Sequence, residues 1–206
     1  MTEADWGILL KWNNADEYIR DLQVLYYAEG DAITSRSLEE VQELYCAVCE
    51  HALCFVIEAD GQPVGECWLQ EMNPDRILSQ YPSEDCRRID LMIGEKDHWG
   101  RGIGTETIRL LTEFGFEHED VDRVFACDVA DYNVRSRKAF QRAGYEIVAT
   151  IEQQPGSKAR YCYDLALARE ALEQERAKPQ RPVQRGRNAP PVCHSDLHLD
   201  KIKGSL

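Results

Sequence analysis

The chain has 206 residues, enough for one domain with a substantial core plus a tail, and its net charge of −13 argues against a nucleic-acid binder, whose phosphate contacts need a basic surface. No apolar run approaches the ~20 residues that span a bilayer, and the acidic start, with Glu3 and Asp5, is unlike a signal peptide. A soluble, cytoplasmic protein is therefore expected, with its eight cysteines as reduced thiols. Residues 1–168 carry −16 and residues 169–206 carry +3. The acidic part favours cationic partners, although a solvated surface that aids solubility explains the charge equally well.

Thr2-Glu3-Ala4-Asp5 resembles a capping box with Asp in place of Glu and opens a first helix with Trp6, Leu9 and Leu10 on one face. Ser37-Leu38-Glu39-Glu40 is a full capping box, followed by Val41, Leu44, Tyr45 and Val48 at helical spacing. Two strands, Cys54 to Ala59 and Pro63 to Gln70, flank the hairpin turn Asp60-Gly61. A polar stretch, Glu71 to Asp85, links them to a strand at Arg87–Gly94. Next comes a glycine-rich turn, Trp99-Gly100-Arg101-Gly102-Ile103-Gly104-Thr105, leading into a helix over 103–118 with Ile103, Thr107, Leu110, Leu111 and Phe114 in helical register. A strand at Val121–Asp128, a helix at Asn133–Ala143 and strands near Tyr145–Glu152 and Arg160–Leu167 complete an α/β alternation that closes in a hairpin. Residues 168–177 continue as a short polar helix. Lys178 to Val192 holds four prolines and four basic residues among few apolar ones, a composition expected to stay disordered.

The glycine-rich turn is the most informative stretch. A helix N-terminus offers backbone N–H groups with no intrahelical partner and a positive dipole end, and glycines let a phosphate come close. A Walker loop is excluded because Thr105, not Lys, follows Gly104; a dinucleotide fingerprint starting at Gly102 would need its third glycine where Thr107 stands. With the preceding strand Arg87-Arg88-Ile89-Asp90-Leu91-Met92-Ile93-Gly94, and with Asn133-x-x-Ser136 followed by Phe140 and Gly144-Tyr145, the loop resembles the acyl-CoA loop of the GNAT superfamily of N-acetyltransferases. Within it, Ile89-Asp90 and Asp128 look most like aminoglycoside 6'-N-acetyltransferases and their ribosomal-protein-acetylating relatives. The resemblance covers about residues 2 to 168, which would form the acetyltransferase domain, with 169–206 as helix and tail.

The resemblance implies an α/β (α+β) fold in which helices flank a mixed, largely antiparallel, splayed sheet, with Gly94 at the bulge that splays the central strands. It also implies a strand before the first helix. Only Met1 precedes Thr2, so the sheet is expected to be one strand short unless the true start lies upstream. The strand at Cys54–Ala59 would then have an open edge for another segment or a homodimer to cover.

Acetyl-CoA is the implied acyl donor. Backbone N–H groups from Gly100 to Thr105, with Gly102 and Gly104, would hold its diphosphate, and Arg101 would add a cation unless it is simply solvated. Trp99 stands where the family has Arg or Gln. Main-chain groups of Leu91, Met92 and Ile93 would hold the pantetheine arm and polarise the thioester carbonyl, worth on the order of 3 kcal/mol. Asn133 and Ser136 would contact the cofactor from the other side, Asn133 also being suited to cap its helix.

Asp90 is the candidate catalytic residue, binding the acceptor ammonium and taking its proton directly or through water, because a lone carboxylate in an apolar strand should face a cleft. Asp128 would be a second acceptor contact. The alternatives are an ion pair of Asp90 with Arg87 or Arg88, and a cap or turn role for Asp128. Phe140 replaces the tyrosine that protonates the leaving thiolate in many relatives; expelling a thiolate of pKa about 8.5 at neutral pH costs only about 2 kcal/mol, and Tyr132 or water could substitute.

No metal is expected. Cys46, Cys49, His51 and Cys54, and the separate group Cys193, His194 and His198, lack a second Cys-x-x-Cys to complete a zinc site. The leading expectation is an N-acetyltransferase for a small polycationic amine of aminoglycoside type, with acidic acceptor-side residues Glu29, Asp31, Glu71, Asp75, Glu84 and Asp85, and hence a place in antibiotic resistance. The competing expectations are a protein N-terminal or lysine acetyltransferase and a non-catalytic acyl-CoA-binding module.

Overall fold

The computed structural model describes residues 1–14 and 36–177. Glu29, Asp31, the proline-rich tail and the Cys193-His194 group lie outside the described residues. A 3₁₀ turn at Glu3–Asp5 leads into α1 (Trp6–Trp12), with the Asp5 carboxylate accepting from the Thr2 N–H at 2.6 Å as the sequence suggests. Helix α2 (Leu38–Cys49) starts with the expected capping box, in which the Ser37 hydroxyl accepts from Glu40 N–H and the Glu40 carboxylate from Ser37 N–H.

Strands β1 (Ala52–Ala59) and β2 (Gln62–Glu71) form a hairpin whose turn residues Asp60 and Gly61 have φ of +54° and +73°, the left-handed pair a two-residue turn of this kind requires. The polar link contains a short helix, α3 (Asp75–Gln80), that the sequence pattern does not reveal. Six residues are too few for a helical period; Ile77, 3% exposed, is its one buried side chain. Then follow β3 (Cys86–Ile93), a 3₁₀ turn at Lys96–His98, α4 (Ile103–His118), β4 (Arg123–Ala130), α5 (Val134–Arg142), β5 (Glu146–Glu152), β6 (Tyr161–Ala168) and α6 (Arg169–Ala177).

The six strands make one sheet in the order β1-β2-β3-β4-β6-β5, antiparallel throughout except for the β3–β4 pair. Helices α4 and α5 cover one face, where Ile108, Leu111, Phe116 and Phe140 pack on Leu69, Ile89, Val124 and Leu165. On the other face α1 and α2 bury Leu9, Trp12, Val41 and Tyr45 against Val56, Trp68 and Met92, while α3 covers Phe125. Each fully buried apolar side chain contributes roughly 1.5–3 kcal/mol. Among the described residues no helix is long and apolar enough to cross a membrane.

Among the described residues β1 is an edge strand of the sheet. The N-terminal amine donates to the Cys54 carbonyl at 3.4 Å, and α1 locks onto the end of β3. The Trp12 indole lies so close to Gly94 that an added Cβ would come within 2.3 Å of it, and Trp12 Nε1 donates to Glu95 at 2.9 Å. Gly94→Ala is expected to push Trp12 off the sheet and cost about 1–3 kcal/mol, read as a lower urea midpoint with an unchanged denaturant slope.

Candidate active site

The site starts from a fault in the sheet. Strands β3 and β4 pair only at Cys86–Arg88 and Arg123–Phe125. Beyond them β3 continues with a single neighbour, β2, and β4 bulges between Ala126 and Val129 before pairing with β6 again. Asp128 sits in that bulge with a φ of +54°, a left-handed conformation that short polar side chains tolerate best after glycine.

A cleft of about 750 Å³ is walled by Leu91, Met92 and Ile93 of β3, by the loop residues Gly100, Gly102, Gly104 and Thr105, and by Asn133 and Ser136 of α5. Gly100 and Gly102 take φ of +74° and +87°, and a side chain at either would meet open space, so backbone conformation rather than crowding selects glycine there. The first bond of α4 runs from Glu106 N–H to Gly102 C=O at 3.0 Å, which leaves the N–H groups of Ile103, Gly104 and Thr105 without intrahelical partners beside the cleft. Asn133 caps α5, accepting from Ser136 N–H at 3.2 Å, and still lines the wall. Arg101 is not part of the wall; it pairs with Asp60 at 3.2 Å on the surface.

Sequence reasoning passed over Arg135, Lys138 and Arg142, which stand on one face of α5 and line the cleft. Their helical spacing in so acidic a chain was the available signal. Trp99 also has a defined place: its indole N–H donates to Ile93 C=O at 2.8 Å, and the Arg135 guanidinium lies over its ring at 4.8 Å. The wall further includes His98, whose Nδ1 is buried without a partner among the described residues. Unpaired helix N–H groups, three cations and an apolar side suit a long acyl carrier with phosphates at one end.

Asp90, next to the Leu91–Ile93 wall, is held by Arg88 in a two-pronged ion pair at 2.8 and 2.9 Å, the partner weighed as the alternative from sequence. Arg88 also donates to Asn73, and its pairing with Asp90 outweighs the burial that would lower its pKa. Asp128 meets Arg76 at 2.9 Å; Arg76 in turn forks onto Asp164, 1% exposed, whose carboxylate also accepts the Asp128 N–H at 3.0 Å. Asp128 is thus both a bulge residue and an exposed carboxylate. Three carboxylates against two guanidinium groups leave this cluster net negative.

Phe140 is buried edge-on against Tyr145, whose hydroxyl bonds Thr112 at 2.5 Å within the core, so neither replaces the missing tyrosine acid in the cleft. Tyr132 packs under the Lys158 ammonium at 4.7 Å. Among the described residues no three His, Cys, Asp or Glu side chains cluster as metal ligands.

A buried carboxylate that the sequence did not single out, Glu66, lies behind the cleft wall. It lies on β2 between Val56 of β1 and Met92 of β3, is 6% exposed, and accepts a hydrogen bond from the Tyr45 hydroxyl, which in turn accepts from Asn13. Burial pushes its pKa up to about 7, against the lowering effect of Tyr45 and the nearby Trp68 indole. The sequence hid it because Glu66 falls in the hairpin's otherwise unremarkable Gly65-Glu66-Cys67 run.

A sequence profile described as "Acetyltransferase (GNAT) domain" matches residues 1–146. The chain belongs to this GNAT acetyltransferase family. It is 24% identical, over 86% of its length and 85% of the relative's, to aminoglycoside N(6')-acetyltransferase type 1 of Klebsiella pneumoniae. Among solved structures, it is similar to aminoglycoside acetyltransferase AAC(6')-Ib in complex with coenzyme A and kanamycin, at a TM-score of 0.66 and 24% identity over 86% of this chain and 96% of that one. The spermidine N-acetyltransferase of Vibrio cholerae, in complex with CoA and spermine, gives a TM-score of 0.64 at 16% identity over 84% and 95%.

Two expectations follow. Gly102→Val forces a β-branched residue into a left-handed φ, and Gly104→Val adds methyl groups beyond a Cβ position that already touches Leu91 Cδ1 at 3.7 Å, filling the cleft beside the helix N-terminus; each should abolish acetyl-CoA binding in calorimetry while the chain stays folded. The second concerns Glu66. Because its folded-state pKa lies above the 4.5 of an ordinary glutamate, the folded protein holds a proton that the unfolded chain releases, and stability is lost as pH rises from 4.5 through about 7. Glu66→Gln should therefore be more stable than wild type by up to about 3 kcal/mol at pH 8, with the gap closing below pH 4.5, as read by urea denaturation.

Proposed function

We propose that the protein transfers the acetyl group of acetyl-CoA to a primary amine of a small polycationic acceptor of aminoglycoside type. The loop N–H groups with Arg135, Lys138 and Arg142 would hold the donor's phosphates, and Leu91–Ile93 with Asn133 and Ser136 its pantetheine arm. When bound, the donor supplies a thioester carbonyl open to attack by a neutral amine. Asp90 and Asp128 would bind ammonium groups of the acceptor.

The observation that carries this reading is the net-negative cluster of Asp90, Asp128 and Asp164, placed where β3 and β4 part and next to the Leu91–Ile93 wall of the cleft. A polycation gains there because it competes with Arg88 and Arg76 for carboxylates that are 37% and 50% exposed in their side chains. Similarity to enzymes named for aminoglycosides and spermidine supports the same class.

Thiol release measured with acetyl-CoA and a panel of amines tests it. Kanamycin-like polyamines should be turned over well and a neutral-bodied monoamine poorly. Asp90→Asn should lower turnover by about 10-fold or more with little change in acetyl-CoA affinity, whereas Asp128→Asn should chiefly raise the acceptor KM. Turnover of peptides but no small amine would favour a protein acetyltransferase, and donor binding without turnover a non-catalytic module.

A further inference from the structure

Two rows of side chains cross the sheet under α1 and α2. In one, Val56, Glu66 and Met92 stand opposite each other on β1, β2 and β3; in the next, Cys54, Trp68 and Asp90 do the same. Opposed residues of antiparallel strands project to the same face with Cβ atoms about 4.5–5.5 Å apart. Met92 is also part of the cleft wall, so Glu66, which does not itself line the cleft, stands one cross-strand step from a residue that does. Trp68, beside it, carries a buried indole N–H near the Glu66 carboxylate, where it opposes the rise of the Glu66 pKa as the Tyr45 hydroxyl does.

We propose that Glu66, held by the Tyr45 hydroxyl, is the group that takes the proton from the acceptor ammonium. This rests on the acetyltransferase reading above and assigns the base within it. Asp90 and Asp128 already have oxygens engaged by guanidinium groups, while Glu66 is held by a neutral phenol. One proton passes from the ammonium nitrogen to the Glu66 carboxylate, leaving a neutral amine and a carboxylic acid. As the nitrogen bonds the acetyl carbon and the C–S bond breaks, the nitrogen's second proton goes to the departing thiolate, and Glu66 later returns its proton to water. Acetyl amine and free thiol are the balanced products.

The surroundings of Glu66 suit a base working near neutrality. Facing it are the Tyr45 hydroxyl from α2, the Trp68 indole on its own strand and the Cys54 thiol from β1; the Cys67 thiol is next to it in sequence but on the other face of the sheet, and the N-terminal amine acts on both thiols. Burial lifts Glu66 to about 7, and Tyr45 opposes that rise.

The test is the pH profile of kcat/KM with a polyamine acceptor for wild type, Glu66→Gln and Tyr45→Phe, with melting temperature and acetyl-CoA affinity measured on each. Wild type should show a limb rising with pH through an apparent pKa near 7. Glu66→Gln should lose that limb and about 100-fold in kcat, with acetyl-CoA affinity within two-fold. Tyr45→Phe, which removes a hydrogen bond that lowers the Glu66 pKa, should shift the limb to higher pH. A folded Glu66→Gln enzyme with the wild-type limb and kcat overturns the proposal, as does a Tyr45→Phe limb that does not move; should Glu66→Gln fail to fold, Tyr45→Phe decides alone. Wild type that binds acetyl-CoA but releases no thiol with any amine of the panel would instead overturn the acetyltransferase reading, a separate result seen before any variant is made.

Discussion

The parting of β3 from β4 is the constraint on which the rest of the site depends. Two parallel strands that stayed paired would satisfy each other's backbone groups and leave no freed edge. Here pairing stops after Arg88, and the bulge at Asp128 turns β4 away. That single break creates the wall Leu91–Ile93, sets Asp90 and Asp128 on the two diverging strands, and aims the N-terminus of α4 into the space between loop and sheet.

Holding the break open requires support from both faces. On one side α4 and α5 pack on the sheet through an apolar core that includes Ile108, Leu111 and Phe140. On the other, α1 clamps the end of β3, with the Trp12 ring on Gly94 and its indole N–H on Glu95. Arg76 ties α3 to β6 and β4 through Asp164 and Asp128, and so fixes the far side of the bulge. The same contact that stabilises the bulge therefore neutralises part of the charge of Asp128 and Asp164.

Charge pairing divides the carboxylates by role. Asp90, Asp128 and Asp164 are met by arginines, which fits them for electrostatic recognition of another cation that can exchange with a guanidinium. Glu66 is buried beside a phenol and an indole, an environment that penalises its charged form and makes proton uptake near neutral pH inexpensive. Under the function proposed above, Asp90 and Glu66, on adjacent rows of one sheet face, would divide binding from proton transfer.

From residues alone came the features written in local spacing: the capping box at Ser37, the Asp60-Gly61 turn, the α4 helix from Ile103 to His118, and the glycine loop before it. Glycines at positive φ and a run of helical periodicity are local demands of the backbone, so they leave a signature within a dozen residues. The family followed from three such signatures in order. What only the tertiary structure decided is which side chains meet across distance. Arg76 joining Asp128 to Asp164, the cations of α5 lining the cleft, Arg101 turning away to Asp60, and Glu66 buried under Tyr45 all depend on strand register and helix packing. Proton affinity and ion pairing are properties of surroundings, and partners such as Asp164, 88 residues from Arg76, carry no mark of each other in the sequence.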